Sequence, residues 1–232
     1  MGLCRSSGAR SRVSYELHLA KIDLVARRVH RLRMRRPSGF TYVPGQAVDI
    51  TLARDGWRDE PRPFTIVSLP EDPDLEFLIK AYPDHGGVTE QIAHLSDGAS
   101  VTVSDPWGAL RDRGDGLFLA GGMGITPWLA ILRARAAAGM PVQSTLLYAV
   151  EAQADLLAIE ELKAMVGLTL VAVVAEDPGP DHRHGRLDRA LIQKHLPEAG
   201  PVYLCGPPPM EEAVNEILRD LDVGDDRVVV EG

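Results

Sequence analysis

The chain has 232 residues, room for one large domain or two small ones. Hydrophobic residues at 45% and charged residues at 25% exclude a wholly disordered chain, and no apolar run reaches the roughly 18 residues of a membrane span. The net charge of −8 falls entirely after residue 116, which excludes a uniformly basic nucleic-acid binder. The two cysteines, Cys4 and Cys205, form no CxxC pair, so no disulfide framework is expected. Two thiols also cannot supply the four ligands of a plant-type iron–sulfur cluster, and a reducing, cytoplasmic setting fits them best.

Residues 1–12 are rich in Ser, Gly and Arg and lack the apolar core of a secretory signal, so they read as a solvated tail. A first domain is expected over 13–108. Strands are predicted over 15–25, 29–34, 48–52, 63–68, 75–82 and 100–104, with Gly or Pro in most connections and one short helix over 88–95. Strands of this number and spacing suggest a small antiparallel barrel or sandwich. The segment 26–37 holds six arginines. In a strand, alternation would put Arg31, Arg33 and Arg35 on one outward face, away from Leu32 and Met34. Such a face is either an edge strand protected by charge or a dock for an acidic protein.

The polar, Gly-bearing segment 109–116 has the composition of a linker. A second domain is expected over 117–232. Apolar runs at 117–120, 144–150, 168–175, 202–205 and 228–230 alternate with helical stretches near 126–138, 155–166, 187–195 and 209–221. Continuous apolar runs suit strands buried on both faces, hence parallel βαβ units. His182 and His184 lie in a polar Gly/Pro stretch and read as solvated, so no metal site is expected.

Within LFLAGGMGITPWLAIL (117–132), a strand runs into Gly121, Gly122 and Gly124, then Thr126 and Pro127, then a helix. Such a turn can hold a pyrophosphate on helix N–H groups, or it can be a tight strand-to-helix connection of any α/β fold. In VYLCGPPPMEEAV (202–214), Cys205 and Gly206 end a strand, so Gly124 and Cys205 can face one cleft. In RPFTIVS (62–68), Arg62 offers a donor fork for phosphate, Phe64 a flat face and Thr65 a hydroxyl. HGGVTEQI (85–92) is a Gly-rich turn opening a helix.

Together RPFTIVS, GGVT, GGMGITP and CGPPPM stand in the order and spacing of the ferredoxin–NADP reductase superfamily, and the chain resembles that family over about residues 13–231. The family includes flavodoxin reductases, cytochrome b5 reductases and the reductase components of multicomponent oxygenases. The resemblance implies a six-stranded antiparallel FAD-binding β-barrel followed by a five-stranded parallel α/β domain that binds NADH or NADPH. It implies hydride transfer from nicotinamide C4 to flavin N5, then single electrons to a separate acceptor such as a flavodoxin, ferredoxin, or oxygenase or haem component. The rival reading is a flavin-binding module that senses or docks without turning over.

By the same resemblance, Arg62 pairs with the flavin pyrophosphate and Pro63 belongs to its motif. Phe64 replaces the usual tyrosine beside the isoalloxazine, and Thr65 puts a hydroxyl near N5. Lys80 and Tyr82 lie toward the adenosine, while Gly86, Gly87, Val88 and Thr89 turn around the FAD phosphates. Gly121, Gly122, Gly124, Thr126 and Pro127 form the nicotinamide-dinucleotide phosphate loop. Cys205, Gly206, Pro207 and Met210 form the last motif, with Cys205 beside nicotinamide C4. Glu231 matches an acidic residue near the flavin, and the aromatic lid common in the family is expected to be absent or supplied elsewhere. Thr65, Cys205 and Glu231 are the candidate catalytic residues. Glu151, in YAVEAQADLL (148–157), favours a free ribose diol and hence NADH, while Arg183 and Arg186 pull the other way.

Overall fold

The computed structural model describes residues 14–82 and 86–230. The expected tail with Cys4, and also His85 and Glu231, lie outside the described residues.

The first half is an antiparallel six-stranded sheet in the order β4-β3-β6-β1-β2-β5. Its strands are β1 (Ser14–Ala26), β2 (Val29–Arg35), β3 (Ala47–Leu52), β4 (Arg62–Thr65), β5 (Asp74–Lys80) and β6 (Ser100–Ser104). β1 serves both halves of this sheet. Ser14 to His18 pair with β6, and Leu19 to Ala26 pair with β2, across a register shift at Leu19/Lys21. A bulge there re-aims the strand around a barrel corner. Just past β4, the Ile66 N–H donates to Gln46 and the Val67 N–H donates to Glu76, which draws the edges β4 and β5 together. Alternate residues turn inward: Leu17, Leu32, Met34, Ile50, Phe77 and Val103 fill the core, and Val88 and Ile92 of α1 (Val88–Ala93) plug it. β2 is not an edge strand; it pairs with β1 on one side and β5 on the other.

The connecting strap is pinned. Arg135, almost fully buried, binds Asp112 and, at 2.7 Å, Asp115. The Tyr203 hydroxyl donates to Gly114 and accepts from the Arg113 N–H. Tyr203 itself stacks on Phe118 at 4.2 Å between centroids.

The second half is a parallel sheet in the order β10-β9-β8-β7-β11-β12. It comprises β7 (Leu117–Gly121), α2 (Ile125–Ala137), β8 (Thr145–Ala152), α3 (Ile159–Ala164), β9 (Thr169–Glu176), β10 (Arg183–His184), α4 (Arg189–His195), β11 (Val202–Cys205), α5 (Pro208–Asp220) and β12 (Val228–Val230). Every residue of β7 is buried, with one apolar layer on each face. The sheet has six strands rather than five, because Arg183 and His184 add a two-residue strand to β9. So short and charged a strand leaves no apolar run to read. α3 starts at Ile159 instead of near 155. Asp155 closes a 3-10 turn over Gln153–Asp155, and Ala158 at φ 52° breaks the helical path.

The strand order reverses between β7 and β11. In an open parallel sheet, such a switch point opens a crevice at the carboxyl ends of its two strands. Gly121 and Cys205 stand at those ends.

Candidate functional site

The glycines after β7 have separate tasks. A Cβ on Gly124 would lie 2.2 Å from the Cys205 carbonyl oxygen, and one on Gly121 would lie 2.3 Å from the Met210 sulfur. These two let the loop pack against the last motif. Gly122 instead sits at φ 53°, with nothing within 4 Å of where a Cβ would stand. It gives a short 3-10 turn over Gly122–Gly124 an open backbone face at the start of α2, the end of a helix that favours anions.

Two clefts meet at this point. The first, about 570 Å³, lies between the barrel and the switch point. The barrel wall holds Pro63, Phe64, Thr65, Thr89 and Trp107, and the sheet wall holds Gly124, Thr126, Pro127, Cys205 and Gly206. Thr126 is buried. Its hydroxyl donates to the Met123 carbonyl at 3.0 Å and lies 3.3 Å from the Thr65 hydroxyl. The Thr126 hydroxyl therefore links the glycine loop to the barrel, while Pro127 is buried in the first turn of α2. Cys205 is buried at the end of β11, and Gly206 donates its N–H to Glu211 at 2.9 Å.

The second cleft, about 400 Å³, lies over the ends of β7, β8 and β9. Gly122, Glu151, Asp155, Arg186 and Met210 line it. Lys80, Tyr82, Gly121, Met123 and Pro207 border both clefts. Tyr82 presents an exposed ring, and Glu151 is exposed at the end of β8. Arg183 is tied to Asp188 at 2.9 Å, so of the two arginines only Arg186 reaches the cleft.

Some expected residues lie apart from the clefts. Arg62 is half exposed and pairs with Glu60 at 3.1 Å. Gly86 and Gly87 leave open space where side chains would stand, but the Gly86 N–H donates to the Glu90 carboxylate at 2.8 Å. The Val88 side chain is in the barrel core, so only its backbone can face a ligand. Arg31 and Arg33 share Asp23 at 3.1 Å and 3.4 Å, and Arg35 lies 3.6 Å from Asp74.

Asp155 and Trp107 were not singled out by the sequence reading. Asp155 binds Lys80 at 2.9 Å and also Arg27, joining barrel to sheet. Burial pushes its carboxyl up, but hydrogen bonds from Arg27 and Lys80 outweigh that and hold it below the usual carboxylate range. An aspartate before an apolar pair reads as a helix cap, and nothing local ties it to Arg27. Trp107 follows a proline in a run that resembles a turn.

The site fits a flavin and a dinucleotide. Both clefts lie within or near the size range of cofactor pockets, Phe64 and Trp107 offer ring faces, and Gly122 leaves a cradle that any Cβ would begin to fill. Comparison with known proteins agrees. An FAD-binding domain family matches residues 14–109, and an oxidoreductase NAD-binding domain family matches residues 118–216. The reductase component of the naphthalene 1,2-dioxygenase system of Pseudomonas putida, a ferredoxin–NAD(P)+ reductase, is 32% identical over 211 residues, covering 86% of this chain and 63% of its own length. The chain thus spans about three-fifths of that relative. NADH-cytochrome b5 reductase 1 of Pyricularia oryzae is 32% identical over 217 residues, covering 83% of this chain and 69% of that one. Among solved structures, a ferredoxin NADP+ reductase from Neisseria gonorrhoeae with bound FAD and NADP has the same fold, with a TM-score of 0.81 at 20% identity over 94% of this chain and 98% of that chain.

Proposed function

Because the chain belongs to the ferredoxin–NADP reductase superfamily, we propose that it is an NAD(P)H-dependent flavoprotein reductase, holding FAD in the first cleft and nicotinamide nucleotide in the second and passing electrons to a separate acceptor. The observation that carries this reading is the meeting of two clefts at Gly121, Met123 and Pro207, one walled by the barrel and the other by the sheet. Residues 13–108 form the flavin domain, 109–116 the strap and 117–232 the nucleotide domain. The two-cysteine composition favours a cytoplasmic setting, and among the described residues no helix is long and apolar enough to cross a membrane.

Flavin, when bound, supplies the coupling between a hydride donor and one-electron acceptors. The protein's part is to position and to exclude water. Thr65 holds its hydroxyl at the seam because Thr126 fixes it from the other side. Cys205 presents a small buried side chain against the nicotinamide. Arg62 exchanges Glu60 for the flavin pyrophosphate, and the backbone from Gly86 to Thr89 receives a phosphate oxygen in place of Glu90. Gly122 admits the nicotinamide pyrophosphate, and Tyr82 offers its ring to an adenine.

Glu151 favours NADH over NADPH, since a carboxylate accepts from a ribose diol and repels a 2′-phosphate. The test is anaerobic stopped-flow mixing of the flavin-loaded protein with each nucleotide. The expected result is bleaching of the flavin band, with a higher kcat/KM for NADH. Bleaching that favours NADPH would reverse the choice of nucleotide. A flavin that neither nucleotide bleaches would leave the module that binds without turnover.

A further inference from the structure

Among the described residues, Asp155 is the one buried carboxylate, and it faces two cations. Its Oδ1 accepts from Lys80 Nζ at 2.9 Å and from Arg27 Nε at 3.1 Å; its Oδ2 accepts from Arg27 Nη2 and, at 3.3 Å, from the Ala152 N–H. Both cations come from the barrel, and the carboxylate comes from the sheet. The Arg27 N–H also donates to the Ala154 carbonyl at 3.1 Å, so the β1–β2 turn is docked there by backbone as well.

A buried carboxylate needs compensation, and losing its only partner is costly. Here one partner can be spared. Arg27 is half exposed and has no part in lining either cleft, whereas Lys80 borders both clefts within the same lining as Gly121. Of the two cations on Asp155, the one that lines the proposed nucleotide cleft is therefore held by a carboxylate that keeps the other when it departs.

We propose that Asp155 is a positioning residue that competes with the phosphates of the nicotinamide dinucleotide for Lys80, so that nucleotide entry draws Lys80 out of an ionic latch between barrel and sheet. The proposal rests on the nucleotide reading of the second cleft. Asp155 thus sets affinity by restraining a cation, and it sets domain alignment through the same contact. A purely structural ion pair would do only the second.

The experiment is calorimetric titration of the flavin-loaded protein with NAD+ and with ADP-ribose, alongside thermal unfolding. Asp155→Asn frees Lys80 and is expected to lower Kd for both probes by about three- to tenfold, the effect of one screened charge, while lowering Tm. Arg27→Gln leaves Lys80 as the only cation on Asp155 and is expected to raise Kd. Asp155→Glu is expected to restore Kd toward that of the wild type. An unchanged or raised Kd in a flavin-loaded Asp155→Asn overturns the proposal. If that variant does not fold, an unchanged or lowered Kd in Arg27→Gln overturns it instead. A wild-type protein that binds neither probe overturns the nucleotide reading itself, and this proposal with it.

Discussion

Gly121, Gly122 and Gly124 look alike in the sequence yet answer to different constraints. Gly121 and Gly124 are small because Met210 and the Cys205 carbonyl press on them, and Gly122 is glycine because of its positive φ. Gly124→Ala must move backbone and is expected to cost about 3 kcal/mol, whereas Gly122→Ala meets open space and is expected to cost about 1 kcal/mol for the left-handed conformation. Urea unfolding of the two variants checks the order. The glycine loop was legible from composition alone. Its division of labour was not, because the decisive contacts come from residues about eighty positions downstream. Thr126, assigned to the phosphate loop by resemblance, also bridges that loop to Thr65 across the seam, a contact with a residue sixty-one positions upstream that no local pattern announces. Thr65→Val and Cys205→Ala are each expected to slow anaerobic flavin reduction roughly tenfold, through lost positioning, with flavin content unchanged. Stopped-flow absorbance is the measurement, and wild-type rates in both variants would remove these two residues from the positioning roles.

The strands and helices with strong periodicity stand where alternation and apolar runs put them, because side-chain burial sets them locally. β10 and the start of α3 escaped, since a two-residue charged strand and a left-handed Ala158 carry no periodic signal. The strap at 109–116 read as a linker from its composition, and what composition does not carry is that Arg135 arrives from α2 to hold it. Hydrogen bonding to Arg135 holds the Asp112 carboxyl below its ordinary value of 3.8 against the opposing effect of burial. Asp155 is lowered as well, Arg27 and Lys80 outweighing its burial. Both carboxyls bind protons less readily when folded. Their stabilisation is fully present above about pH 5 and is lost as pH falls through 3.8 and below. The urea midpoint is expected to be flat from about pH 7 to 5 and to fall steeply by about pH 3. Arg135→Met should lower the unfolding free energy at neutral pH by about 2 kcal/mol and shallow the acid limb of the midpoint curve.

Taken together, barrel and sheet are tied at both ends of their seam: by Asp155 with Arg27 and Lys80 at the clefts, and by Arg133 at the far end. Arg133 reaches Glu76 and the Val67 carbonyl on the barrel and Glu161 on α3. A larger groove of about 920 Å³ opens near Arg133, and Arg31 and Arg33 border it together with Asp72, Asp74, Glu76 and Glu161. The arginine face of β2 is thus a mixed-charge surface, with Arg35 its most exposed cation. If an acidic electron acceptor docks there, reversing Arg31, Arg33 and Arg35 to Glu should slow ferredoxin or cytochrome c reduction at least tenfold at low salt, leaving reduction of the flavin by NADH unchanged. Acceptor reduction that ignores the reversal and the ionic strength would move the dock elsewhere. The double duty of β1 has a consequence for assembly. Its first five residues find partners only in β6, about ninety positions away, so the barrel cannot close during synthesis until that strand has left the ribosome. The sheet gathers β8 and β9 onto β7 through nearer neighbours, but β11 joins β7 from as far along the chain as β6 is from β1. Closing long loops before any contact rewards them is slow, so each half is completed by a late-arriving strand, β6 for the barrel and β11 for the sheet.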